Sequence, residues 1–125
     1  VVACGRRILP KPEDEKTARG CLVLLSGRRH RVYGVVALLT PAGALATRRV
    51  VSQVAFKRLS DDEVAAYLES REWQGKAGGY AIQHRAAALV RWMSGSYSNV
   101  VGLPLFETAQ LLAGRGYRPR CAASS

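Results

Sequence analysis

The stretch WQGKAGGYAIQHRAAALVRWMSGSYSNVVGLP, residues 73–104, concentrates the unusual chemistry of this chain. It opens with Lys76 set among Gly75, Gly78 and Gly79. Glycine permits backbone conformations closed to other residues and lets a ligand approach the main chain. A lysine in such a loop is a mobile point charge suited to phosphate. A short apolar piece, Tyr80-Ala81-Ile82, leads to Gln83, whose amide both donates and accepts hydrogen bonds, as a nucleobase edge requires. The run 86–90 is apolar and short, the polar turn Ser94-Gly95-Ser96 follows, and residues 97–104 lead into a new helix. Read singly, the lysine loop is a surface turn and Gln83 a satisfied strand residue. Only the joint pattern points to a nucleotide.

GKAGGYAIQ (residues 75–83) followed by GSYSNVVGLPLFETAQLL (residues 95–112) resembles the C-terminal half of the Maf family of nucleotide pyrophosphatases. A glutamine after the isoleucine is similar to the branch acting on dTTP and UTP. Two upstream segments extend the resemblance, which runs to about Tyr117. Lys11-Pro12 matches the family's Gly-Lys-Pro motif with Pro10 in place of the glycine, and LSGRRHRVY, residues 25–33, resembles Leu-Ser-Gly-x-x-His-x-Val-Tyr.

The resemblance implies an α/β fold of the Maf (ITPase-like) type, a mixed β-sheet flanked by helices with a nucleotide cleft, here without its N-terminal part. It implies hydrolysis of a nucleoside triphosphate to monophosphate and pyrophosphate, with dTTP and UTP as substrates, and a divalent metal cation, Mg or Mn, as cofactor. Substrate binding then falls to Lys11, Lys76 and Gln83. The family's general-base aspartate falls just before Val1, so no catalytic residue is expected within the chain. Its Ser-x-Ser-Pro-Arg-Arg phosphate loop has no counterpart. Gly34 stands in place of a threonine, Gly75 of an aspartate and His84 of a glycine. The expectation is a chain with impaired turnover, its sheet left with an exposed edge. The alternative is a basic, noncatalytic fragment that binds nucleotide or nucleic acid.

The chain has 125 residues, one domain's worth. The expected division is a Maf-like portion over 1–117, the C-terminal two-thirds of a domain, and a flexible tail over 118–125. Lysine and arginine total 19 against 9 acidic residues, a formal charge of +10, which favours polyanionic partners. The arginines are scattered in pairs, and no run alternates basic and aromatic residues as a single-strand-binding platform does. The expected partners are therefore a nucleoside triphosphate and, in a homodimer, a second copy, with neither membrane nor nucleic acid. No apolar run is long enough for a membrane-spanning helix, and no secretory signal is expected at the start. Cys4, Cys21 and Cys121 are odd in number and lack CxxC spacing, so neither a disulfide framework nor a zinc site follows, and a reducing cytoplasm is the expected home.

In chain order, Cys4-Gly5-Arg6-Arg7 reads as a hairpin turn between short apolar strands. Pro12 suits a first helical position, with Ala18, Cys21, Leu22 and Leu25 at helical spacing up to Ser26-Gly27. Strands are expected over 32–39 and 50–56, joined around Pro41-Ala42-Gly43. The imperfect alternation of 50–56 suits a strand buried on both faces. His30 reads as a structural hydrogen-bonding residue. Ser60-Asp61-Asp62-Glu63 is a capping box opening a helix that ends near Ser70, with Val64, Tyr67 and Leu68 as its apolar stripe. A last helix over 105–112 carries Leu105, Ala109 and Leu112 on one side.

Overall fold

The computed structural model describes residues 1–117; the expected tail over 118–125, with Cys121, lies outside them. Its spine is a hairpin of two long strands, β3 (Arg29–Leu39) and β4 (Leu45–Phe56), in register from Arg29 opposite Ala55 to Leu39 opposite Leu45. Both begin several residues earlier than the apolar pattern indicates, because Arg29–Arg31 and Leu45–Arg49 still find ladder partners. β1 (Val2–Cys4) and β2 (Arg7–Leu9) form the expected hairpin, and β5 (Val90–Ser94) closes the other edge. The order across the sheet is β2-β1-β3-β4-β5.

All four pairings are antiparallel, so among the described residues the sheet of this α/β fold is not mixed. β2 and β3 do run the same way, joined by the crossover helix α1 (Glu15–Leu25), but β1 lies between them and pairs with both. α2 (Asp61–Ser70), α3 (Tyr97–Val101) and α4 (Leu105–Gly114) complete the elements.

The core forms on one face only. Val32, Val54 and Phe56 point from the sheet onto Leu22 and Leu25 of α1 and Val64, Tyr67 and Leu68 of α2. Their burial provides the main driving force for the fold. Burial on both faces of β4 is not found: Ser52 and Val54 are buried, whereas Val51 and Gln53 alternate outward to solvent. A one-sided antiparallel sheet exposes every second residue in this way.

α1 buries the four expected residues, but Pro12 is not at its first position. Asp14 caps the helix, accepting from the Thr17 N–H at 2.7 Å, and Pro12 is buried in the preceding loop. Hydrogen bonding from Thr17 holds the Asp14 carboxyl below its usual range. The capping box of α2 is present in both directions, Glu63 N–H to Ser60 Oγ and Ser60 N–H to Glu63 Oε1.

After α2, the apolar residues Ala86 to Leu89 lie in a 3₁₀ segment (Arg85–Leu89), and the strand is the next stretch, Val90–Ser94. In α4 the buried residue is Leu111, while Leu105 and Ala109 face solvent. Here the short helix lies against the inner strands β3 and β4 through a different stripe from the one its leucines advertise.

Candidate functional site

Beside the N-terminal end of β1 is a cavity of about 270 Å³, lined by residues from each segment that carries the family resemblance, around Lys11, 25–33, 75–83 and 95–112. Lys11 comes from the β2–α1 loop, Lys76 from the glycine loop, Gln83 from the segment before the 3₁₀ turn, and Asn99 from α3; Gly34 of β3 forms part of the floor. Drug-sized sites usually span roughly 300–1,000 Å³, so this cavity is just below that range and of a size for one small ring.

The two lysine loops are joined by the backbone. Gly78 N–H donates to Pro10 O at 2.9 Å, adjacent to Lys11. Gly78 has φ +74°, and a Cβ there would lie 3.0 Å from Val2 Cγ1. A side chain would therefore need both a disfavoured backbone and a small displacement of the Val2 side chain. Lys11 and Lys76 are exposed, and neither takes part in the ion pairs of the described residues, Lys57–Glu63 and Arg85–Glu72. The lining of the cavity includes no acidic side chain.

Buried aromatic residues hold the loop that carries Lys76 and Gln83. Trp73 Nε1 donates to Leu68 O at 2.8 Å, and Tyr67 Oη accepts from the Ala81 N–H at 3.3 Å. Tyr80, a wall of the cavity, pairs through its hydroxyl with His30 Nε2 at 2.5 Å. His30 is 1% exposed and edge-on to both Phe56 and Tyr80, so its part is structural. Burial pushes its pKa down to about 4 and raises that of Tyr67 to about 12. Glu72 bonds both the backbone N–H and the guanidinium of Arg85, at 3.0 and 2.9 Å, and so staples the two ends of the same loop. His84, in place of a glycine, is exposed.

The sequence did not single out Asn99. Ser96 caps α3 by accepting from the Asn99 N–H, and Asn99 Nδ2 reaches Val32 O and Ser52 Oγ at 3.0 and 3.1 Å. Nδ2 faces acceptors, Val50 O being a third at 3.4 Å, which fixes the amide orientation. Asn99 Oδ1 then lies against Gly34, where a Cβ would sit 1.9 Å away, and has no hydrogen-bond partner. The Asn99 side-chain oxygen thus occupies the space that any side chain at position 34 would need. The signal available in sequence was an asparagine two residues into a short capped helix, Ser96-Tyr97-Ser98-Asn99.

Among the described residues no group of three or more His, Cys, Asp or Glu side chains is placed to hold a metal ion. The cavity lining also has no histidine or cysteine, so its side chains do not by themselves fit a protein-held divalent cation. Cys4 and Cys21 are buried and unpaired, and burial raises the Cys21 thiol. No helix among the described residues is long and apolar enough to cross a membrane.

The fold and cavity define an α/β protein with a basic cleft at the end of an antiparallel sheet. Residues 1–115 match the family described as Maf-like protein, and the chain belongs to that family. It is 72% identical over 119 residues to a dTTP/UTP pyrophosphatase of Rhodospirillum rubrum, covering 95% of this chain and 57% of that protein. It is similar to proteins of the same name from Paramagnetospirillum magneticum (66%, covering 95% of this chain and 63% of the relative) and Granulibacter bethesdensis (63%, covering 94% and 55%). The chain thus spans little more than half the length of these curated relatives.

Proposed function

We propose that the cleft binds a pyrimidine nucleoside triphosphate, dTTP or UTP, as part of a nucleotide pyrophosphatase. The observation that carries this reading is the convergence of Lys11, Lys76 and Gln83 on one cavity with no acidic side chain in its lining. The lysines meet the phosphates from two loops, and the Gln83 amide pairs with the acceptor and donor edge of uracil or thymine. The names of the relatives support the substrate class. A divalent cation, Mg or Mn, would neutralise phosphate charge when the substrate brings it. The two buried free thiols fit a reducing compartment, and we place the protein in the cytoplasm.

Hydrolysis requires a base to activate water. The cavity lining supplies no carboxylate, imidazole or thiol, so the 125-residue chain binds nucleotide better than it turns it over. Calorimetric titration with UTP, dTTP, ATP and GTP tests the first part. A charge-assisted contact contributes about 1.5–3 kcal/mol, so Lys11→Ala and Lys76→Ala should each weaken UTP binding roughly ten- to hundred-fold. Gln83→Ala should erode the preference for UTP over ATP more than it weakens ATP binding. Equal losses for all four nucleotides would remove Gln83 from base reading. Pyrophosphate release from UTP and dTTP with magnesium or manganese tests the second part, and brisk turnover by this chain would overturn it.

A further inference from the structure

The nine acidic residues, at 13–15, 61–63, 69, 72 and 107, all lie on helices or the loops beside them, and no strand contains one. The strands carry Arg7, Arg29, Arg31, Arg48, Arg49 and Arg91. The core elements α1 and α2 pack on one face of the sheet, so among the described residues its other face is uncovered by them and carries no acidic side chain on its strands.

Strand register shows what that face presents. Side chains alternate along a strand, and the residues paired across Arg29, Ala55 and Trp92 form one outward row. Arg31 with Gln53, Tyr33 with Val51, and Val35 with Arg49 form the next three. The Arg29 guanidinium lies 4.8 Å from the Trp92 ring centroid, and that of Arg31 5.7 Å from the Tyr33 ring. Trp92 is 40% exposed. Beside Tyr33 is a depression of about 390 Å³ lined also by Arg6, Ile8 and Arg31. By strand geometry the two aromatic platforms are about 16 Å apart, some four residues along and two strands across.

We propose that this open face binds single-stranded nucleic acid. Trp92 and Tyr33 are the stacking platforms, the guanidinium planes of Arg29 and Arg31 extend them, and Arg6 and Arg49 meet flanking phosphates. Bases stack on aromatic rings and on arginine planes alike, and a basic surface with spaced aromatics is the physical requirement for sequence-tolerant single-strand binding. No single run of the sequence alternates basic and aromatic residues. The alternation is built across strands, from Arg29, Arg31 and Tyr33 on β3 and Trp92 on β5. The cleft of Lys11, Lys76 and Gln83 has a different lining, apart from the Val1 and Tyr33 that the two depressions share, so this inference does not rest on the nucleotide reading.

The test is fluorescence anisotropy with a labelled oligothymidylate of about twelve nucleotides, within the roughly 4–16 that such folds occupy. Saturable binding is expected. If the positive charges of Arg6, Arg29, Arg31 and Arg49 all neutralise strand phosphates, the two stacked guanidiniums included, affinity should fall about 50-fold between roughly 50 and 200 mM salt. Trp92→Ala should weaken it about tenfold or more, and the double change Arg29→Gln, Arg31→Gln should weaken it and flatten the salt dependence. Trp73 is buried, so quenching of tryptophan emission by unlabelled oligothymidylate in the unaltered chain reports Trp92 directly and needs no variant to fold. Thermal unfolding checks the variants. Absence of binding, or binding indifferent to Trp92 and the two arginines, would overturn the proposal. So would displacement of the oligonucleotide by excess UTP, which would put it in the cleft, or sedimentation showing the face closed by a second copy that excludes the oligonucleotide.

Discussion

Acidification should destabilise this protein through His30 well before its carboxylates are all protonated. The ring is 1% exposed, wedged edge-on between Phe56 and Tyr80 with centroids 5.3 Å from each. Nε2 is paired with the Tyr80 hydroxyl, and Nδ1 has no partner. Protonation would place a charge and an unsatisfied donor in the core, which is why burial lowers the pKa from 6.5 to about 4. The unfolded chain, with an ordinary histidine, binds more protons between those values. Stability is therefore full above about pH 6.5 and declines as pH falls toward 4, by up to about 1.4 kcal/mol per pH unit and about 3 kcal/mol in total. That is a large part of the roughly 5–15 kcal/mol of a typical domain. Urea unfolding of the unaltered chain and of His30→Gln, followed from pH 7 to 4, isolates the contribution. Asp14 and Glu63, whose carboxyls hydrogen bonds hold low, also lose stability on acidification, but equally in both proteins. The difference in unfolding free energy between the two should shrink by about 3 kcal/mol across that range. Parallel curves would refute the account of His30 as a neutral, desolvated core residue.

Two further outcomes follow from packing and capping. Gly34→Ala would place a Cβ 1.9 Å from Asn99 Oδ1 and push the amide off Val32 O and Ser52 Oγ, for a loss of about 3 kcal/mol. Gly34→Thr adds the same carbon but also a hydroxyl to pair the orphaned oxygen, so chemical denaturation should find it less damaging than alanine; the reverse order would sink the argument. Ser60→Ala removes the acceptor for the Glu63 N–H and should lower stability by about 1 kcal/mol. A null effect on the urea midpoint would mean that the Lys57–Glu63 contact at 2.7 Å and the packing of Tyr67 and Leu68 suffice to start α2.

Local signals settled much of this protein in sequence. Ser60 and Glu63 define the start of α2 because a capping box involves only neighbouring residues, and the four buried residues of α1 follow from its period. The pairing of short apolar runs around Gly5-Arg6 gives the first hairpin for the same reason. The candidate residues Lys11, Lys76 and Gln83 stood out within motifs that resemble a family, and residues 1–115 match it. Their meeting in one cavity depends on Gly78 reaching Pro10 across the fold. Pro12, Leu105 and the alternation of 50–56 misled because each depends on what lies opposite. A cap two residues on, at Asp14, displaced the first helical position, and packing on β3 and β4 selected Leu111 over Leu105. The single layer of helices left Val51 and Gln53 in water. Asn99 and Gly34 are far apart in the chain and unremarkable separately, so only the tertiary structure could show that one fills the space the other leaves. The same is true of the open face. Arg29 and Trp92 are separated by most of the domain, and strand register alone, which no local pattern encodes, puts a guanidinium over an indole.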